Sequence, residues 1–144
     1  MDKVSLAAKF ASFDEHWSPR IVAELNGQHV KIAKVQGEFV WHSHAHEDEL
    51  FQVVSGRFRM EFKEPLRSCA ADIPSDIRTP PTGGVQFRVR TVELGEGEII
   101  VVPRGVEHRP VADEEVSVLL FEPASTLNTG NAGGDKTVAQ PDWI

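Results

Sequence analysis

The sequence predicts an all-β domain with one short helix at its N-terminus, and three observations support this prediction. From residue 20 onward, short runs that alternate apolar and polar residues are separated by glycines. Residues 57–63 place Phe58, Met60 and Phe62 on one face and the charged residues on the other, which is typical of a half-buried strand. The pair Asn26-Gly27 favours a two-residue hairpin turn between two such runs.

The elements are predicted in chain order from the spacing of the apolar residues. Residues 5–17 carry Leu6, Phe10, Phe13 and Trp17 at spacings of three and four, which predicts a helix that ends before Pro19. Period-two or continuous apolar patterns then predict strands. These strands cover residues 20–25, 29–35, 38–44, 49–54, 57–63, 86–94, 98–102 and 116–121.

Residues 64–84 interrupt the strand pattern with several prolines and little periodicity. We expect this segment to be a long loop, inserted into a single domain that covers residues 1–144. The residues from 123 to 144 are rich in Gly, Asn and Thr and are expected to form a tail that wraps over the surface. Cys69 lies in the insertion and has no paired base in the sequence pattern, so nothing supports a role as a nucleophile.

Composition narrows the class of function. The chain has 144 residues and a net charge of −7, so a basic surface for nucleic acid or for anionic lipid is not expected. No run approaches the ~18 apolar residues of a membrane span, and the N-terminus lacks the apolar core of a signal peptide. A single cysteine cannot form an internal disulfide, which favours a reducing cytoplasm. We therefore expect a cytoplasmic protein whose partner is a small molecule.

A cluster of histidines around residue 44 carries the chemistry. Residues two apart on a strand share a face, so either His42 with His44 or His44 with His46 can point at one place. Glu49 follows at the start of the next strand, and His108 comes after a turn far downstream. Imidazole nitrogens and a carboxylate oxygen suit a borderline divalent metal ion.

The spacings around these residues are more specific than the residue types. In the first half, Gly37 precedes the His-x-His pair, Glu49 lies five positions after His44, and Gly56 lies seven beyond Glu49. In the second half, Gly97, Pro103, Gly105 and His108 are separated by five, one and two residues. These two patterns resemble the two sequence motifs of the cupin superfamily. They depart from them by one residue before His42 and by the lack of an Asn shortly after His108.

Further stretches are similar to a group of small bacterial single-domain cupins: residues 34–42, 48–51, 120–123 and 128–130. The resemblance implies a jelly-roll barrel, also called a double-stranded β-helix. It also implies that His42, His44, Glu49 and His108 bind one divalent metal ion, which can be Zn, Ni, Mn or Fe. This assignment keeps the family's separation from Glu49 and leaves His46 in an exposed loop. It assigns no catalytic residue, because one barrel serves many chemistries.

The function expected from this resemblance is that of a metal-dependent enzyme acting on a small polar molecule such as a sugar or keto acid. Isomerase-type and dioxygenase-type chemistry both suit these ligands. The alternative is a non-catalytic module that uses its metal to bind a small molecule. Arg104 and Arg109 bracket His108 and are either ordinary surface charges or a clamp for an anionic substrate. Apolar residues on the outer face of a strand, Leu50 and Val54, lead us to expect a homodimer.

Overall fold

The computed structural model describes residues 2–66 and 87–144, in which one short helix precedes seven strands. The helix is α1 (Leu6–Phe10), and the strands are β1 (Arg20–Leu25), β2 (Gln28–Glu38), β3 (Glu49–Ser55), β4 (Arg57–Pro65), β5 (Phe87–Gly95), β6 (Ile99–Val102) and β7 (His108–Pro123). All pairings between these strands are antiparallel. Within these ranges, no helix is long and apolar enough to cross a membrane.

The long strand β7 organises the sheet. Along one edge it pairs with β2, and along the other it pairs first with β4 and then with β3. The chain order within the sheet is β1-β2-β7-β3-β6, with β5 attached through β4. This arrangement confirms the predicted jelly-roll barrel with a short N-terminal helix. The Asn26-Gly27 turn is also confirmed, since both residues have positive φ, as a type I′ hairpin requires.

The barrel interior is apolar along most of its length. Alternation on β3 and β4 directs Phe51, Val53, Phe58, Met60 and Phe62 inward, which confirms the shared face predicted for the last three. They pack against inward residues of the neighbouring strands, including Ala33, Val35, Val116 and Val118. This core fixes the strands that carry the site.

A second, smaller cluster covers the outer face of the barrel near the N-terminus. Phe10 and Phe13 pack there against Val22 and Ile32, and Val54 contacts the same cluster. The apolar character of Val54, from which we expected a homodimer, is therefore satisfied within the chain. The expectation of a homodimer rests on no structural observation and stays a prediction.

The predicted helix was too long. It ends at Phe10, where Ser12 Oγ donates a hydrogen bond to the carbonyl of Lys9 at 2.7 Å. The following residues run as an extended strap, in which the Trp17 backbone N–H donates to the carbonyl of Lys34 at 2.9 Å. Phe13 and Trp17 keep their helical spacing in sequence but pack in different clusters, because the strap turns between them.

Three strand boundaries also differ from the prediction. Strand β2 continues through Gly37 to Glu38 with a register shift, and residues 39–44 contribute only an isolated bridge at His42. Strand β7 begins at His108 rather than at residue 116, because the charged residues 113–115 hide its alternation. The predicted loop at 64–84 begins too early, since Glu64 and Pro65 pair with Arg88 and Phe87. Residues 67–84 of that insertion, including Cys69, lie outside the described residues.

Candidate metal centre

Strand alternation and a short backbone ladder position the four predicted ligands. Glu49 is the first residue of β3 and faces inward with Phe51 and Val53. His42 and His108 face each other in an antiparallel bridge and exchange both backbone hydrogen bonds, at 3.0 and 2.9 Å. The Gly105 N–H donates to the carbonyl of His44 at 2.7 Å. Backbone pairing therefore joins the two sequence motifs directly.

The four side chains converge inside the barrel and form a quartet of candidate ligands. One ligand atom from each of His42, His44, Glu49 and His108 lies within 4.8 Å of the others. All four residues are at least 95% buried. Glu49 Oε2 lies 3.0 Å from His44 Nε2 and 3.2 Å from His108 Nε2. The structure thus brings together the four residues that the resemblance to the cupin motifs implies as ligands.

Backbone carbonyls select the tautomer of two imidazoles. His42 Nδ1 lies 3.0 Å from the carbonyl oxygen of Val40, and His108 Nδ1 lies 2.9 Å from that of Val106. A carbonyl only accepts, so each Nδ1 carries the proton and donates it. The lone pair is then left on Nε2. This is the usual arrangement of metal-binding histidines, in which the second nitrogen is held by a backbone or carboxylate oxygen.

Burial sets the charges of the cluster. Burial, together with the neighbouring His108, lowers the pKa of His42 to about 4, so His42 is neutral at pH 7. Burial alone would raise the pKa of Glu49. Its contacts with His108 and His44 outweigh that effect and hold the pKa well below its usual range. The cluster therefore offers imidazole nitrogen atoms and a charged carboxylate.

The polar atoms of this cluster fit a divalent cation. Within the described part of the chain, His44 Nε2, Glu49 Oε2 and His108 Nε2 are buried and have no hydrogen-bond partner. Buried polar atoms are nearly always paired, so three such atoms facing one another need a cation or protons between them. Two ligand atoms that each lie ~2.1 Å from one ion are at most about 4.2 Å apart. The distances from Glu49 Oε2 to His44 Nε2 and His108 Nε2, 3.0 and 3.2 Å, are within that limit.

The C-terminal tail closes over the first motif. The Asn131 side-chain Oδ1 accepts a hydrogen bond from the backbone N–H of Ser43 at 2.8 Å. The Asn131 N–H in turn donates to the carbonyl of Ser43 at 3.1 Å. Gly130 packs so tightly against Ser43 and His44 that a Cβ atom there would overlap the Ser43 carbonyl. The tail therefore holds the backbone of His44 in place.

A small cavity adjoins the cluster. It has a volume of about 50 Å³, and His42 and Glu49 form part of its wall. The rest of the wall is almost wholly apolar and includes the aromatic rings of Trp17, Phe39 and Phe51. A ligand in this cavity would lie beside two of the four candidate metal ligands.

A buried ion pair next to the cluster was not foreseen from the sequence. Lys31 Nζ donates to Glu122 Oε1 at 2.7 Å and to the carbonyl of Thr126 at 3.1 Å, and Lys31 and Glu122 are each 98% buried. Burial raises the pKa of Glu122 well above its usual range, and the nearby Glu49 raises it further while Lys31 opposes the shift. The signal was present in the sequence, because Lys31 shares the inward face of β2 with Ala33.

The other charged residues around the cluster have partners of their own. Arg104 is held by Asp48, with guanidinium-to-carboxylate distances of 3.0 and 3.1 Å. Arg109 donates to Glu61 at 2.7 Å and to Glu38 at 2.6 Å. Both guanidinium groups are already paired with carboxylates of the chain, which favours ordinary structural charges over a clamp for an anionic substrate. His46 is exposed in the loop and is not part of the cluster.

Comparison with known proteins identifies the family. The cupin sequence profile matches residues 23–142, which is most of the chain. The chain belongs to the cupin family. The uncharacterised protein YdbB of Bacillus subtilis is 36% identical over 76 residues, covering 51% of this cupin and 66% of YdbB. The matched region thus spans slightly less than two thirds of that relative.

Solved structures agree with the family assignment. A cupin-2 domain protein from Shewanella frigidimarina is 37% identical and superposes with a TM-score of 0.64, covering 83% of this cupin and 93% of that chain. The hydroquinone 1,2-dioxygenase PnpCD, crystallised with Cd²⁺ and 4-hydroxybenzonitrile, is 20% identical with a TM-score of 0.58. That match covers 94% of this cupin and 72% of the dioxygenase chain. At this identity the second likeness shows the shared fold.

Proposed function

We propose that this cupin is a metal-dependent protein in which His42, His44, Glu49 and His108 bind one divalent ion and a small molecule binds beside it. The observation that carries the proposal is the set of buried, unpaired polar atoms that face one another in the cluster. An imidazole-rich site with one carboxylate accommodates Zn, Ni, Mn or Fe and discriminates poorly among them. We propose one ion per chain, because the described residues contain one such cluster.

The residues of the chain prepare the site for this ion. The Val40 and Val106 carbonyls orient the imidazoles of His42 and His108. Glu49 supplies the negative charge that partly neutralises a dication. The ion itself would act as a Lewis acid toward a ligand oxygen, or as a redox centre if it is iron. Isomerase-type and dioxygenase-type chemistry on a sugar, keto acid or similar molecule are both consistent with this donor set.

A non-catalytic binding module is the second candidate, and the cavity wall favours it. Among the described residues of that wall, the only titratable side chains are His42 and Glu49, which are both candidate metal ligands. General acid–base chemistry would need a separate proton donor or acceptor within reach of the substrate. A protein that binds its ligand through the metal and releases it unchanged would need none.

Metal titration of two histidine variants tests the proposed ligand set. Substitution His108→Ala removes a nitrogen from the quartet and should weaken divalent-metal binding by more than about 100-fold, since even outer partners of ligands are worth 10–100-fold. The matched control is His46→Ala, which removes an exposed histidine from the neighbouring loop and should leave the affinity unchanged. Calorimetric titration of metal-free protein measures both. Equal losses from the two variants would contradict the ligand set.

A further inference from the structure

The cavity beside the cluster has one polar end and an otherwise apolar wall. Its carbon surface comes from residues on several elements: Trp17, Pro19, Ala33, Val35, Phe39, Phe51, Phe58, Pro110, Val118 and Leu120. The polar residues of the wall are His42, Glu49 and Asn128. A ligand that fills this space therefore meets carbon on most sides and polar groups at the metal end.

The amide group of Asn128 is already occupied. Its Nδ2 donates to the carbonyl of Lys136 at 2.8 Å, and its Oδ1 accepts from the N–H of Val138 at 2.8 Å. These bonds hold the tail in its turn and leave Asn128 little capacity to bind a ligand. His42 and Glu49 therefore remain as the groups that can orient a polar atom of the ligand, directly or through a metal ion.

Trp17 stands between the cavity and solvent in a fixed position. Its ring stacks on Phe39 with centroids 4.8 Å apart, and its Nε1 donates to the carbonyl of Gln36 at 2.8 Å. Lys136 Nζ covers the indole at 5.1 Å from the ring centroid. The backbone of Trp17 has a φ of 59°, an unusual value for a bulky residue. Such strain persists where the surrounding structure requires it, and here it places an indole on the cavity wall.

Size and polarity together limit the ligand. The cavity, at about 50 Å³, is roughly a third of the ~150 Å³ of an engineered apolar cavity that takes up benzene. A sugar would turn several hydroxyl groups toward carbon, where each loses its hydrogen bonds to water without replacement. Glu49 and one ligand carboxylate would together balance a divalent ion, whereas a phosphate dianion would need a further cation, and the described residues of the wall include no Lys or Arg.

We infer that the substrate or ligand of this site is a small, mainly apolar molecule with a single oxygen-bearing group, such as a carboxylate of two or three carbons. Its oxygen faces His42 and Glu49, and its apolar body packs along Trp17 and Phe39. Trp17 is thus a specificity-determining residue. Polyols and sugar phosphates do not fit. This inference rests on the proposed function, in that the oxygen end of the ligand lies at the proposed metal.

Chemical-shift changes of protein methyl groups at the cavity wall, caused by added ligands, test this inference. Methyl groups of Val35, Val118 and Leu120 are labelled in protein whose metal content has been measured. The NMR probes are acetate and propanoate, with mannose and mannose 6-phosphate at equal concentrations. We expect acetate, propanoate or both to shift these methyl signals in a saturable manner and the two sugars to leave them unchanged. Which of the two binds more tightly shows how long an apolar body the cavity accepts.

Tryptophan variants test the role of Trp17. Because an aromatic contact of this kind contributes about fivefold in affinity, Trp17→Ala should weaken binding of the tighter apolar probe by about that factor. Trp143→Ala changes a tryptophan that is 58% exposed and should have no effect. If Trp17→Ala does not fold, Trp17→Leu serves in its place and should show a similar loss of affinity, because leucine fills part of the space but has no aromatic face.

Three results would overturn the inference: binding of mannose or its phosphate at these methyl groups, no shift with either apolar probe, or equal affinities for the Trp17 and Trp143 variants. Failure of the proposed function looks different. Protein that takes up no metal but still binds an apolar probe would refute the metal and leave the ligand class standing. Metal-loaded protein that binds only sugars would refute the ligand class alone.

Discussion

Two charged clusters lie buried in the same barrel, and they satisfy their polar atoms differently. In the first, Lys31 supplies the positive charge for Glu122 across 2.7 Å. In the second, Glu49 faces imidazole nitrogens at 3.0 and 3.2 Å, and the described chain offers no Lys or Arg to pair with it. The first cluster carries its own cation, and the second is arranged around a place for one.

The contrast distinguishes a structural pair from a binding site. Burying a pair whose two charges both belong to the chain costs desolvation, but the two charges compensate each other. Removing one of them strongly lowers the stability of the fold, because the other is left buried without a counter-charge. A cluster of lone pairs without a counter-charge is stable only when an ion or protons join it. Removing the cation should therefore lower the free energy of unfolding at both clusters. At Lys31 a mutation removes it, and at the quartet chelation or acid does.

The largest expected effect on stability is at the pair formed by Lys31 and Glu122. Substitution Lys31→Met leaves Glu122 buried without its cation and should lower the free energy of unfolding by about 3 kcal/mol, the lower end of the usual range because Glu122 can take up a proton. The double variant Lys31→Met, Glu122→Leu should recover most of this loss. Urea denaturation measures both. A single variant as stable as the parent would show that Glu122 does not depend on Lys31 for its counter-charge.

Acid should destabilise the metal-free protein through His42. The pKa of this residue is about 4 in the folded protein and 6.5 when unperturbed, so the unfolded chain takes up a proton first as the pH falls. The free energy of unfolding should therefore decrease between pH 6.5 and about 4, by about 3 kcal/mol in total.

Denaturation curves at several pH values measure this loss in three proteins. His42→Gln should remove the part of the decline that lies between pH 6.5 and 5, where carboxylates contribute little. His46→Gln, which changes an exposed histidine, should keep it. A decline of the same size in all three proteins would show that His42 is not the group responsible.

A smaller effect is expected where the tail supports the quartet. Gly130 and Gly133 both have positive φ, 48° and 62°, so an alanine is strained at either position. A Cβ atom at Gly130 also collides with Ser43, whereas one at Gly133 meets nothing within 4 Å. Gly130→Ala should therefore cost about 1–2 kcal/mol more stability than Gly133→Ala. It should also weaken metal binding by about tenfold, because it displaces His44. Equal metal affinities in the two variants would show that the tail does not position the ligand.

The sequence predicted the barrel, most of its strands and the grouping of the four residues. Strict alternation marked β4, and the Asn26-Gly27 turn marked the first hairpin, because both signals are local. The quartet was accessible through the resemblance to the two cupin motifs, in which the ligands occur at fixed distances from turn glycines. Its function as a metal site is a proposal that these spacings and the observed geometry support.

Other features depend on contacts that no local pattern contains. The strap after Phe10 has helical spacing but pairs with Lys34 instead, since tertiary packing overrides a weak helical preference. Strand β7 contains three consecutive acidic residues, and because such a run is typical of a loop, the first part of the strand was missed. The pairing of Lys31 with Glu122 joins residues 91 positions apart. The apolar cavity likewise arises only when the strap, the strands and the tail meet.

The most direct test of the metal-binding proposal is elemental analysis of the protein purified without an affinity tag from cells grown in metal-replete medium. We predict close to one divalent ion per chain in the parent protein and in His46→Ala. We predict far less than one in His108→Ala, once circular dichroism has shown that this variant is folded. A parent protein without stoichiometric metal, or a His108→Ala variant that retains a full equivalent, would contradict it.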